Sequence, residues 1–86
     1  MSIREKLIER FLQRPKDFTY LELQALLKGF GYHEISKGQT SGSRVGFIQQ
    51  ENHHIILLHK PHPGNELKRY QIDLITEEVR KQEFIP

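Results

Sequence analysis

A chain of 86 residues has room for one small domain, and at this size folding buries only about 60% of the surface of the unfolded chain. With 36% hydrophobic residues, 28% charged residues and a formal charge of +2, it is too apolar and too evenly charged for a disordered tail. It has no cysteine, which excludes disulfides, thiolate metal sites and thiol catalysis. The longest apolar run is Ile55-Ile56-Leu57-Leu58, far short of the roughly 20 residues of a membrane span. The N-terminus is charged and amphipathic and lacks the apolar core of a signal peptide. A cytoplasmic protein with no membrane partner is expected, folded as one domain over residues 1–86.

Ser2-Ile3-Arg4-Glu5 has the form of a capping box, and Ile3, Leu7, Ile8, Phe11 and Leu12 then recur at helical spacing. Arg14-Pro15 ends this helix, because the residue before proline is pushed out of helical geometry. Thr19-Tyr20-Leu21-Glu22 is a second capping box. It opens a helix with Leu23, Leu26, Leu27 and Phe30 on one face and Gly29 and Gly31 at its end. Tyr32 to Lys37 alternates as a strand. Gly38 to Gly42 is loop by composition. Ser43 to Gln49 alternates again, with Val45 and Phe47 on one face and Arg44 and Ile48 on the other. Gln50 to His53 reads as a turn, with His54 to His59 a strand after it. Pro61-His62-Pro63-Gly64-Asn65 suits neither helix nor central strand. Helical period returns from about Lys68, with Ile72, Ile75 and Val79 in one stripe, and Phe84-Ile85-Pro86 is a tail placed to fold back. The order α-α-β-β-β-α predicts an α+β, two-layer domain: an antiparallel three-stranded meander with helices on one face and the other face open.

The charge is concentrated in the middle of the chain. Between Ser36 and Gln71 stand Lys37, Arg44, Lys60, Lys68 and Arg69 against only Glu51 and Glu66. Four of the five histidines, His53, His54, His59 and His62, lie there too. A localised basic surface suits an anionic partner, of which nucleic acid is the commonest. The loop from Lys37 to Arg44 is rich in glycine and hydroxyls and bounded by cations, so its backbone can approach a phosphate closely. It lacks the G-x-x-x-x-G-K-[ST] pattern of a nucleotide P-loop, and taken alone it reads first as a plain hairpin connection. In His59-Lys60-Pro61-His62, two imidazoles flank a lysine. These are the parts for metal-free RNA cleavage: one group takes the 2′-hydroxyl proton, one protonates the leaving 5′-oxygen, and a cation steadies the phosphate. Surface histidines with no further role fit the same residues. A strand end followed by proline does not present His59 and His62 as a metal-binding pair, so neither metal nor cofactor is expected. Lys68 and Arg69 sit in or near the first turn of the last helix, where the helix dipole disfavours cations but a phosphate is welcome.

Three stretches together resemble a known family: Gly42-Ser43-Arg44-Val45-Gly46-Phe47, His54 to Leu58, and Lys60-Pro61-His62-Pro63-Gly64-Asn65-Glu66-Leu67. They look like the HicA toxins of bacterial toxin–antitoxin pairs, and Arg14-Pro15-Lys16-Asp17-Phe18-Thr19 before a leucine-rich helix is similar to one branch of that family. The resemblance runs from about Arg14 to Val79. It implies a double-stranded-RNA-binding-domain-like fold, messenger-RNA interferase activity without metal, and a HicB-like antitoxin partner. One position departs from the family pattern of glycine-serine-histidine: the residues here are Gly42-Ser43-Arg44. Arginine stays protonated and cannot act as a base at neutral pH, though it binds phosphate well. Either another histidine carries the proton transfer, or the protein binds RNA without cutting it. His62 matches the family's second histidine and is expected to be catalytic with Arg44, and His59 is the other candidate. Lys37, Ser41, Ser43, Arg44, Lys60, Lys68 and Arg69 are expected to bind RNA.

Overall fold

A computed structural model describes residues 3–36, 44–61 and 64–85. Its elements run α1 (Ile3–Leu12), α2 (Tyr20–Gly29), β1 (Tyr32–Ser36), β2 (Arg44–Gln49), β3 (Ile55–His59) and α3 (Arg69–Lys81), the order expected from periodicity. α1 contributes Phe11 to the core, with Leu7 and Ile8 packed against it. It ends before Pro15, and Arg14 there takes the left-handed region at φ 55°. The strained residue is held across the fold: Arg14 Nε and Nη2 each donate to a carboxylate oxygen of Asp73 in α3, at 2.7 Å. α2 starts as its sequence predicts. Thr19 Oγ1 accepts from the Glu22 N–H at 3.2 Å, and the Thr19 N–H donates to Glu22 Oε1 at 2.9 Å. These two reciprocal bonds satisfy donors that a helix start leaves open. The chain leaves α2 through Gly31 at φ 87°, where a Cβ would lie 2.7 Å from Gln49 Nε2. Glycine is therefore required there both by backbone angle and by space.

The sheet is an antiparallel meander in the order β1-β2-β3. Register pairs Tyr32 with Gln49 and Ser36 with Val45 on one side, and Ile48 with Ile55 and Arg44 with His59 on the other. Because strand side chains alternate, the two faces separate cleanly. Tyr32, Val45, Phe47, Ile56 and Leu58 are buried on the helix side with Leu23, Leu26, Leu27, Ile72, Ile75 and Val79. The C-terminal tail folds back onto this core: Phe84 stacks on Phe30 at 5.4 Å and meets Tyr32 edge-on, and Ile85 is buried. The opposite face carries His33, Ile35, Arg44, Gly46, Ile48, Ile55, Leu57 and His59. There Ile55 and Leu57 remain 47% and 44% exposed, so the described helices cover one side of the sheet. Among the described residues no helix is long and apolar enough to cross a membrane.

Candidate functional site

The two strands that flank the glycine-rich loop and the proline-rich segment meet at one end of the sheet. Arg44 opens β2, His59 closes β3, and the two are directly paired in the register. Residues paired in this way have Cβ atoms about 4.5–5.5 Å apart. Both side chains are exposed on the face away from the helices. Neither the Arg44 guanidinium nor the His59 ring has a hydrogen bond or ion pair with another described residue. A permanent cation thus stands beside an imidazole whose two nitrogens have no partner among the described residues.

Next to this pair the outer face is apolar. A Cβ on Gly46 would lie 3.1 Å from Leu57 Cδ2 and 3.2 Å from Ile35 Cγ1, because those side chains close over the glycine. Ile48 and Ile55 continue the patch toward His33. None of the eight strand residues on this face is a carboxylate.

Lys60 follows β3 but turns back toward the helix layer, its Nζ 5.7 Å above the ring of Tyr20. That ring lies 6.2 Å from Phe47, a residue of the core face. Burial, with the Glu34 carboxylate beside it, holds the Tyr20 hydroxyl well above its ordinary pKa, so it does not serve as an acid or base near neutrality. Lys68 is the N-cap of α3 and Arg69 its first residue, both exposed, with no acidic residue in that first turn. Lys37, Ser41, Ser43 and His62 lie outside the described residues.

Two residues that the sequence did not single out organise the two ends of β3. Gln71, only 3% exposed, accepts from the Lys68 N–H through Oε1 at 3.0 Å and donates from Nε2 to the His59 carbonyl at 2.8 Å. The intervening chain is pinned again further on, where the Tyr20 N–H donates to the Asn65 carbonyl at 2.7 Å and the Leu67 N–H to the Phe18 carbonyl at 2.8 Å. A glutamine three residues after an N-cap is a visible capping signal, but its bond to His59 is not. At the other end, His54 stands one residue before β3, where the sequence reading begins the strand. Its Nδ1 lies 2.7 Å from the Tyr32 hydroxyl and its Nε2 2.9 Å from Glu78 Oε1. Burial and the Glu78 charge push the Tyr32 hydroxyl up to about 12, so it stays protonated at neutral pH. Nothing in the sequence links residues 32, 54 and 78. His53 is a true turn residue, at φ 63°, and exposed His33 sits opposite Ile48 at the far end of the outer face.

A cavity of about 550 Å³ lies between the end of α1 and α3, lined by Leu12, Arg14, Asp73, Thr76, Glu77 and Arg80. It shares no residue with the Arg44–His59 end. Among the described residues no three His, Asp or Glu side chains converge as a metal-holding group.

Comparison with protein families matches residues 21–82 to the model described as the HicA toxin of bacterial toxin–antitoxin systems. The matched segment takes in α2 except its first residue, the three strands and α3, and leaves α1 outside it. No curated protein and no solved structure matches the chain significantly.

Proposed function

Since this chain belongs to the HicA family and is the toxin of a toxin–antitoxin pair, we propose that it is an mRNA interferase, an endoribonuclease that cuts RNA without metal from the Arg44–His59 end of its sheet. The observation that carries this reading is the cross-strand pairing of Arg44 with His59 on an exposed face. In metal-free cleavage the 2′-hydroxyl loses a proton and attacks phosphorus. The 5′-oxygen leaves with a proton, giving a 2′,3′-cyclic phosphate and a 5′-hydroxyl. The reaction needs a group that changes protonation near pH 7, and an imidazole is that group. In this reading His59 and His62 share the proton transfers. Arg44 neutralises the phosphate as its charge grows, the role a guanidinium performs best and a base cannot. Lys60, Lys68 and Arg69, with Lys37, Ser41 and Ser43, hold the flanking backbone of single-stranded or structured mRNA.

The family implies a HicB-type antitoxin as partner. We propose that it docks on the outer sheet face. Exposed Ile55 and Leu57 supply an apolar anchor, and Arg44 at the margin of the patch fits carboxylates on the partner.

Incubation of the purified protein with a long RNA in EDTA tests the activity. The expected products carry cyclic or 3′-phosphate ends. RNA that is bound and remains intact favours the second reading, a non-catalytic RNA-binding module. Arg44, standing where the family pattern has histidine, is the observation on that side.

A further inference from the structure

We propose that Gln71 is the positioning residue of this site: its buried carboxamide holds the end of β3 against the first turn of α3 and so sets His59 beside Arg44. The inference rests on the ribonuclease reading for its catalytic consequence and on geometry alone for the clasp.

His59 is the last residue of its strand, and its ladder partner Arg44 is the first residue of β2. Among the described residues the strand pairing ends at this pair. Among the described residues, the restraint on the His59 carbonyl comes from outside the sheet. Gln71 supplies that restraint with two directional bonds from one side chain, to the His59 carbonyl and to the Lys68 N–H. The two bonded residues stand on either side of the connection between β3 and α3. One amide therefore ties the histidine's backbone directly to the helix start that carries Lys68 and Arg69, in addition to the bonds that pin Asn65 and Leu67.

The position is informative because a polar group is not needed there for packing. Gln71 is buried beside Ile72, Ile75 and Val79 on α3, in a stripe that an apolar side chain would fill without desolvating an amide. Only a group with a donor and an acceptor at fixed separation can bind both strand end and helix start. Displacing a reacting group by about 1 Å costs on the order of 10²-fold in rate, which makes such a clasp visible in kcat.

The test compares Gln71→Leu, Gln71→Glu and a stability control, Val79→Ala, on the full chain. Gln71→Leu is expected to lower kcat on a defined oligoribonucleotide by about 10- to 100-fold with KM within about threefold. Val79→Ala, a core truncation outside the site, is expected to lower the melting temperature and leave kcat within about threefold. Gln71→Glu separates positioning from packing. At pH 8 its carboxylate faces the His59 carbonyl oxygen and cannot donate. Protonated near pH 5, it donates again, so its rate relative to the unaltered protein is expected to recover about tenfold as pH falls. Equal kcat losses in Gln71→Leu and Val79→Ala, or a Gln71→Glu ratio flat with pH, overturn the catalytic part. Backbone ¹⁵N relaxation at His59 and Lys60 reads the clasp without RNA. Loss of order there in Gln71→Leu but not in Val79→Ala supports it, even if the unaltered protein proves unable to cut RNA and the ribonuclease reading falls. Unchanged order at both amides overturns the clasp whatever the activity.

Discussion

His54 and His59 bracket the same strand and have opposite surroundings. His54 is bonded at both ring nitrogens, to a buried tyrosine on β1 and to a glutamate on α3. Such a ring ties three elements together and has no free nitrogen for a substrate. His59 is exposed, and among the described residues only its backbone carbonyl is bonded to a side chain, that of Gln71. The contrast extends to the two ends of the sheet. At the turn end Gln49 is buried: its Nε2 donates to the Phe30 carbonyl, and its Oε1 accepts from the Glu51 and Asn52 N–H groups. That end is built of satisfied polar groups facing inward. At the other end Arg44 and His59 face outward beside an apolar patch. Two histidines on one strand thus differ in whether their nitrogens are already bonded within the described fold.

The comparison can be broken most directly at the histidines. His59→Ala is expected to lower RNA cleavage by about 10²- to 10⁴-fold, the usual worth of a general acid or base, with RNA affinity within about threefold. Single-turnover cleavage and filter binding on the same RNA read the two quantities. Full activity in His59→Ala and loss in His62→Ala would move the proton transfer along the chain, and full activity in the double variant would remove histidine chemistry from the site.

His54→Ala should behave in the opposite way. It leaves the Tyr32 hydroxyl and Glu78 without their shared partner, at a cost of about 1–3 kcal/mol in unfolding free energy, while cleavage at a temperature where the variant is folded stays near normal. Urea unfolding followed by circular dichroism measures the first and the cleavage assay the second. A smaller effect is expected from the cations. Log affinity for single-stranded RNA should fall with log salt at about −0.7 per phosphate contact, and Arg44→Ala/Lys60→Ala should make that slope shallower by about one to two contacts. Equal slopes would remove these residues from the RNA interface.

The smallest effect sharpens the description of the packed end. The Tyr32 hydroxyl is raised to about 12 in the folded chain, above the ordinary 10.0 of a tyrosine. Between those values the unfolded chain loses this proton while the folded chain keeps it, so stability falls as pH rises through that window. Below pH 10 the contribution is fully present. Tyr32→Phe removes it, and unfolding curves at pH 9 and pH 11 should differ less for the variant than for the unaltered protein.

Much of the fold was legible because its signals are local. Thr19 and Glu22 lie one helical turn apart, and their reciprocal bonds form as the spacing predicts. The alternation of Val45 and Phe47 against Arg44 and Ile48 correctly assigns the two faces of β2. The short-looped meander also implied that the start of β2 returns beside the end of β3, which brings Arg44 opposite His59. Which pair in Ile55 to Leu58 points outward was left open by the sequence. The register answers with Ile55 and Leu57, because Ile56 and Leu58 pair with Phe47 and Val45 on the core side.

Period, caps and turns depend on neighbours within a few residues, so the sequence by itself determined the elements, their order, the two-layer plan and the family. The tertiary structure decided how the polar side chains are used. It turned Lys60 onto Tyr20 and away from the Arg44 face, bonded His54 at both nitrogens, and gave Gln71 the carbonyl of His59. Each of these contacts joins residues at least twelve positions apart. A hydrogen bond or cation–π contact depends on distances of a few ångströms and on direction, which only the packed arrangement of α2, α3 and the sheet sets.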